Sequence, residues 1–256
     1  MSTSQPIISV IIPTKNRLRH LPSIIECFNK QSWENKQLLI LDDTENNEET
    51  ITNLQLQNPE HKIWWEKPKL SLGEKRNRLI AAAGGDIIAH FDDDDYYAPN
   101  YLETLQNLLS NQGNDLAKLS GWFCYHEASE SFGYWDTKRS DLPHIVFSRN
   151  EKLKYTTNSF SKEDYRSFLI GYGFSYIYYK KVWEKVKFPD SDFAEDSTFI
   201  ELAIKQYFKV GHIQDGEGIC LHIIHKENTS KCFPNYLIPR ILESKYFDYW
   251  KKKISS

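Results

Sequence analysis

Apolar residues in the amino-terminal part of the chain come in short runs, and a polar cluster closes each one. Residues 7–12, Ile-Ile-Ser-Val-Ile-Ile, form a β-branched run ended by Pro13. Such a continuous run suits a strand buried on both faces of a parallel sheet. Residues 21–31 follow with Leu21, Ile24, Ile25 and Phe28 at helical spacing. Residues 37–41 read as a second buried strand, stopped by Asp42-Asp43. Residues 46–57 read as a polar helix and 63–65 as a short third strand. Residues 72–83 predict a helix with Leu72, Leu79 and Ala83 on one side and Lys75, Arg76 and Arg78 charged. Gly84-Gly85 is expected to end it, as glycines do at helix C-termini. Residues 87–91 form another buried strand that runs into Asp92-Asp93-Asp94-Asp95.

This alternation predicts an α/β fold: a Rossmann-like, mostly parallel open sheet flanked by helices. Ligands of such sheets bind beyond the carboxyl ends of the strands. Three polar clusters lie there, residues 14–17, Asp42-Asp43 and residues 92–95, and they are expected to converge on one crevice. The second part of the chain is less regular. Residues 120–179 are rich in rings (Trp122, Phe123, Tyr125, Phe132, Tyr134, Trp135), either a platform for an acceptor or plain core. Residues 177–187 and 198–207 read as helical or mixed elements. No repeat or linker breaks the pattern, so a single domain over 1–256 is expected, with halves at about 1–119 and 120–256.

Composition narrows the class. Of 256 residues, 40% are hydrophobic and 26% charged, the profile of a soluble globular protein. A formal net charge of -3 carries no electrostatic footprint for nucleic acid. Cys27, Cys124, Cys220 and Cys232 are scattered, with neither a disulfide framework nor zinc-ligand spacing. Reduced thiols and a cytoplasmic location follow. The amino terminus has no basic leader, and no segment approaches the roughly 18 apolar residues of a membrane span. Lys251-Lys252-Lys253 is either a solvated tail or a peripheral contact with an anionic membrane.

Four consecutive carboxylates repel one another and raise one another's pKa values. A hard divalent cation, Mn²⁺ or Mg²⁺, removes that cost, and the apolar strand just before anchors the carboxylates at a sheet edge. The alternative is a solvated acidic turn. An EF-hand is excluded, because its Gly and bidentate Glu are missing at the required spacing. A cation held by about two carboxylates keeps positions open for substrate phosphates. Residues 70–77 place Gly73 before a helix whose first turns carry Lys75 and Arg76, a setting for an anionic group.

These pieces together resemble the family-2 glycosyltransferases. The match lies in Ser9-Val10-Ile11-Ile12-Pro13-Thr14-Lys15-Asn16-Arg17, Leu41-Asp42-Asp43, residues 73–77 and residues 91–97, in the family's order and spacing. It continues through Pro99-Asn100-Tyr101-Leu102 and resumes at Phe188-Pro189-Asp190 and Glu195-Asp196. The resemblance implies the GT-A fold and inverting transfer from a nucleotide-sugar donor, a UDP-sugar, to a hydroxyl of a glycan or lipid-linked acceptor. It implies that Pro13, Thr14 and Arg17 line the nucleotide pocket and that Asp43 bonds the base. Gly73, Arg76 and Asn77 fall near the base or diphosphate. Asp92 and Asp94 are the outer residues of the D-x-D motif: Asp92 faces ribose and metal, Asp94 ligates the metal, and Asp93 and Asp95 support them. Asp196 matches the catalytic carboxylate, the base for the acceptor hydroxyl; the alternative is a helix cap. His225, with Asn228 and Ser230, is a candidate to approach the metal or diphosphate. Lys15 departs from the family's aromatic residue, a cation near the nucleotide in place of a stacking ring. Asp43-Thr44-Glu45 replaces the usual Asp-Gly-Ser. Two other classes share an acidic metal site or a nucleotide pocket: a nucleotidyltransferase or phosphoester hydrolase, and a non-catalytic binding module. The first lacks a Walker or Gly-rich phosphate loop here, and intact Asp94 and Asp196 argue against the second.

Overall fold

The computed structural model describes residues 5–67, 69–139, 141–149, 152–156, 160–228, 230–239 and 241–242. The lysine tail, 251–253, lies outside them. In chain order the elements are β1 (Ile8–Thr14), α1 (Leu21–Asn29), β2 (Lys36–Asp42), α2 (Glu48–Gln57), β3 (Lys62–Trp65), α3 (Leu72–Ala82) and β4 (Ile87–His90). Then come β5 (Tyr96–Tyr97), α4 (Tyr101–Asn111), β6 (Leu116–His126), β7 (Ser131–Asp136), β8 (His144–Val146), β9 (Lys154–Thr156) and α5 (Lys162–Ile170). The last are β10 (Ile177–Tyr179), α6 (Lys180–Lys185), α7 (Glu195–Lys205), β11 (Val210–Gln214), β12 (Cys220–Ile224) and β13 (Tyr236–Leu237). Among the described residues no helix is long and apolar enough to cross a membrane.

The chain forms two compact units. The first holds the described residues as far as Asp93, then Pro99–Lys118 and Ile170–His212. Its sheet has β1 parallel to both β2 and β4, and β2 parallel to β3. Strand β10 runs antiparallel to β4 and to the start of β6. The parallel order 3-2-1-4 is that of a doubly wound sheet, as the alternation predicts. The β1–β2 register sets Thr14 level with Asp42, so two of the polar clusters leave the sheet side by side. The core joins Ile11, Leu39, Leu41 and Ile88 of the sheet to Leu79 and Ile80 of α3 and to Phe199, Ile200 and Ala203 of α7. Burial of these apolar side chains supplies about 1.5–3 kcal/mol each.

Three local expectations are corrected. Strand β1 continues through Pro13 to Thr14 rather than ending at the proline. Ile11 O accepts from Phe91 N, so Pro13, two residues on, turns its missing N–H to that same side, past the last β1–β4 pair at His90. No ladder bond is lost there. Gly84-Gly85 does not cap α3 in the left-handed conformation; Ala83 closes the helix with extended backbone. Gly85 is instead a close-approach site, where a Cβ would lie 2.4 Å from Ile7 O. Finally, α7 starts at Glu195, three residues before the expected 198, because the acidic pair fills its first turn.

The second unit holds Asp94–Ala98, Leu119–Leu169 and the described residues from Ile213. Strand β6 pairs antiparallel with β7 and parallel with β12, and β5 adds to β12. Of the rings between 120 and 179, Trp122 and Trp135 are fully buried, edge to face at 5.0 Å. Trp135 also meets Phe168 and Phe233 at 5.1 and 5.5 Å. Those two tryptophans are core.

Candidate active site

The polar ends of β1 and β2 are built as an interlocked set within the first unit. Asp42 accepts from Thr44 N and Asn47 Nδ2 through Oδ1 and from Thr44 Oγ1 through Oδ2. This turn replaces the one a glycine would make, and Thr44 Oγ1 also takes the amide of Asn16 at 2.6 Å. Asn16 sits at φ +58°, which turns the chain sharply after β1. Asp43, wholly buried, receives Lys75 Nζ at 2.8 Å, Lys15 Nζ at 3.4 Å and Leu70 N at 3.2 Å. Lys75 also donates to Thr14 O. Thr14 Oγ1 and Arg17 Nη1 both donate to Asp93, the latter at 3.0 Å. Thr14, Lys15, Arg17, Asp43 and Asp93 are therefore brought together, with Pro13 in the same strand end.

Helix α3 supplies the next layer. Ser71 Oγ accepts from Glu74 N, the start of a capping box worth about 1 kcal/mol. Two of its three cations are engaged inside the protein rather than exposed. Lys75 is paired with Asp43, and Arg76 with Glu195 at 2.5 Å, each partner almost fully buried. Burial pulls the Arg76 pKa down, but Glu195, Asp196 and Asp92 outweigh it and hold it above its ordinary value. Asn77 donates to Phe188 O and accepts from Trp183 Nε1 and Phe188 N, so its amide anchors the segment ahead of α7. Gly73 leaves room for Pro189 O, which a Cβ would meet at 1.8 Å.

Asp196 is half-buried in the first turn of α7. Its Oδ2 accepts from Gly173 N at 2.7 Å and its Oδ1 from Ser197 N. A Cβ on Gly173 would lie 2.9 Å from both Arg76 Nη1 and Asp196 Cβ, which explains the glycine. The turn carrying Gly173 is pinned by two buried donors: Lys118 Nζ to Gly171 O and Tyr176 Oη to Ile170 O. Burial lowers the Lys118 ammonium to about 7, against the opposing field of Asp196.

Within the acidic run, Asp92, Asp94 and Asp95 offer carboxylate oxygens that all lie within 4.8 Å of one another. Hard oxygen donors at that spacing fit Mn²⁺ or Mg²⁺. In the second unit His225 Nε2 lies 2.9 Å from Asp94 Oδ2. Glu227 N donates to His225 Nδ1, so in the neutral ring Nε2 carries the proton and donates it to Asp94. His225 and Asn228 close one turn, His225 N donating to Asn228 Oδ1, whereas Ser230 is exposed. Asp95 also belongs to a cluster the sequence does not announce: His222 Nδ1 at 2.8 Å and Ile223 N at 2.9 Å. Burial lowers the His222 pKa, yet Asp95 and Cys232 hold it well above its ordinary value.

The missed residues are Glu195 as the partner of Arg76, Lys118, Gly173 and His222. Lys118 left one signal, a lone lysine inside the buried run of β6. The others are set by contacts between residues far apart in sequence, which spacing does not reveal.

A doubly wound sheet with polar strand ends and an aspartate run after β4 is compatible with the GT-A fold. The profile described as Glycosyl transferase family 2 matches residues 9–181, and the chain belongs to that family. Among curated relatives, the glycosyltransferase GlyG of Streptococcus pneumoniae is 26% identical over 133 residues, 51% of this chain and 44% of that protein. The abequosyltransferase RfbV of Salmonella typhimurium is 27% identical over 233 residues, 86% and 65%. The chain thus spans less than half the length of GlyG and just under two thirds of RfbV. Among solved structures, the mannosyltransferase PcManGT of Pyrobaculum calidifontis, in complex with GDP-Man and Mn²⁺, aligns with TM-score 0.60 at 13% identity, over 86% of this chain and 57% of that one. TarS 1-349 of S. aureus with UDP-GlcNAc aligns with TM-score 0.59 at 17% identity, over 84% and 58%.

Proposed function

We propose that the chain is an inverting, Mn²⁺- or Mg²⁺-dependent transferase that moves a sugar from a UDP-sugar to a hydroxyl of a glycan or lipid-linked acceptor. The observation that carries this reading is the set of converging Asp92, Asp94 and Asp95 oxygens in a family-2 chain. The nucleotide-sugars bound by PcManGT and TarS support a diphosphate donor, and the Mn²⁺ of PcManGT supports a divalent cation. When bound, that cation offsets charge on the departing diphosphate. Asp92 and Asp94 hold it in this reading, and Asp43, wholly buried and kept in place by Lys75 and Leu70 N, receives an N–H of the base once the part-exposed Lys15 moves aside. Pro13, Thr14, Lys15 and Arg17 border the nucleotide, and Asp93 braces them.

Asp196 takes the acceptor's hydroxyl proton as the acceptor oxygen forms its bond to the anomeric carbon. The bond from that carbon to the diphosphate oxygen breaks, and the diphosphate leaves with the electron pair. Attack opposite to the leaving group inverts the centre. Gly173 N–H fixes one carboxylate oxygen of Asp196, which limits the directions from which a hydroxyl can be received.

Calorimetric titration with UDP and GDP, with and without Mn²⁺, tests the reading. UDP binding that requires the cation and disappears in Asp94→Ala supports it. Metal-independent binding, or none to either nucleotide, overturns it. Asp196→Asn should keep the UDP affinity and abolish transfer; substantial transfer in that variant moves the base elsewhere.

A further inference from the structure

The loop that delivers Asp196 to the site also carries an aromatic ring that the protein does not bury. Phe193 is 75% exposed, three residues before Asp196 and two before the buried Glu195. Single exposed apolar residues are common on protein surfaces and by themselves mean nothing. This one is held in an unusually determined backbone. Ser191 Oγ accepts from Phe193 N at 3.2 Å and donates to Phe193 O at 2.8 Å. Ser191 O takes the amide of Gly73, and Asp192 Oδ1 that of Leu72, which ties the loop to the amino end of α3. Ala194 follows at φ +58°, an uncommon conformation for a residue with a Cβ. Backbone strain of this kind persists where the surroundings over-determine it, and it clusters at ligand sites.

The loop therefore fixes a ring at the surface without using it in packing. In contrast, Phe188 and Phe199, which flank the same segment, stack on each other at 4.1 Å within the core. The ionisable residues of the same loop and of the helix start after it are acidic: Asp190 and Asp192 are exposed and Asp196 is half-buried. A flat apolar face on a loop that carries hydrogen-bond acceptors suits a sugar ring, whose C–H face is apolar and whose rim is hydroxyl. It repels anions.

We propose that Phe193 is the platform of the acceptor subsite, packing against the apolar face of a neutral sugar ring whose hydroxyl then meets Asp196. This inference rests on Asp196 as the base. Its consequence is specificity: the residue bordering the nucleophile is a neutral glycosyl unit, not a phosphate or a uronic acid.

Saturation-transfer NMR on the full chain with UDP and Mn²⁺ tests it. The probes are the methyl glycosides of glucose, galactose, mannose and glucuronic acid, against wild type, Phe193→Ala and Phe193→Tyr. At least one neutral glycoside should receive saturation from the protein, roughly fivefold less in Phe193→Ala, as loss of one aromatic contact implies, and be retained in Phe193→Tyr. The glucuronide should bind more weakly than the neutral probes. Because the side chain is 75% exposed, Phe193→Ala should leave the melting temperature and UDP affinity nearly unchanged. No neutral glycoside contact in wild type, equal transfer in Phe193→Ala, or preference for the glucuronide overturns the proposal. Failure of UDP to bind in the same samples instead overturns the donor reading, so the two outcomes are separable.

Discussion

Lys118 is the most informative residue to change, because its two roles respond to pH in different ways. It is fully buried in β6, its Nζ donates to Gly171 O, and it lies 5.8 Å from the Tyr176 ring centre. Burial brings the pKa of its ammonium down to about 7 from the ordinary lysine value of 10.5. Lys118→Met keeps the stem's length and packing and removes both donor and charge. Leaving Gly171 O without this donor costs about 1–3 kcal/mol at any pH. The charge contributes a second, pH-dependent part. Below about pH 7 lysine is protonated in both folded and unfolded chains, and the folded state carries the full cost of the buried ammonium. Between about pH 7 and 10.5 the unfolded chain binds more protons, so stability rises with pH, by at most about 1.4 kcal/mol per unit. From pH 6 to 9 the wild type should gain about 2–3 kcal/mol that the Met variant does not. The variant should thus look nearly neutral or stabilised at pH 6 and clearly destabilised at pH 9. Urea unfolding of both proteins at pH 6, 7, 8 and 9 measures this, and all other titrations cancel in the difference. A stability difference that stays flat across the range would refute the argument, since Lys118 would then titrate as if solvated.

Two further predictions follow from the same contacts. Gly173→Ala forces a methyl to within 2.9 Å of Arg76 and Asp196, and should cost about 1–3 kcal/mol in denaturant unfolding while cation-dependent UDP affinity is retained. Asp215 receives the backbone amides of Glu217, Gly218, Ile219 and Cys220 on its buried carboxylate. Asp215→Ala strands all four and should lower stability by about 3 kcal/mol or more, whereas loss below about 1 kcal/mol would mean water replaces the carboxylate.

The parallel part of the sheet was legible because its strands are buried on both faces and read as unbroken apolar runs. Residues 7–12, 37–41 and 87–91 each seed an observed strand, and the polar residues that stop them mark the site edge. Helix α3 was legible in extent but not in orientation. Periodicity assigned Lys75 and Arg76 to a charged face, and only the fold shows that Asp43 and Glu195 make their burial tolerable. Glycines were legible as punctuation and opaque as to mechanism: Gly85 and Gly173 matter for what approaches them, which is a tertiary fact. Trp122 and Trp135 had two readings from sequence, and their complete burial in the second unit selects packing.

Both acidic motifs of the chain turn out to be divided by the same device. At Glu195-Asp196, Arg76 takes up the charge of Glu195 in a buried ion pair, while Asp196 accepts from the backbone amides of Gly173 and Ser197, which suits its proposed role as the base. In the run of four aspartates, Arg17 balances Asp93, and His222, with its pKa held up, balances Asp95. Asp94 meets His225 at 2.9 Å, and in the proposed reading Asp92 and Asp94, two places apart in sequence, would face the divalent charge. Four equivalent carboxylates would bind a cation with an excess of negative charge that the incoming diphosphate would have to oppose. In that reading two carboxylates would leave a bound cation close to neutral, so that the diphosphate would meet no excess of negative charge. On the proposed reading the outer positions of the D-x-D pattern are favoured by where the buried cations lie, and the sequence shows only the acids.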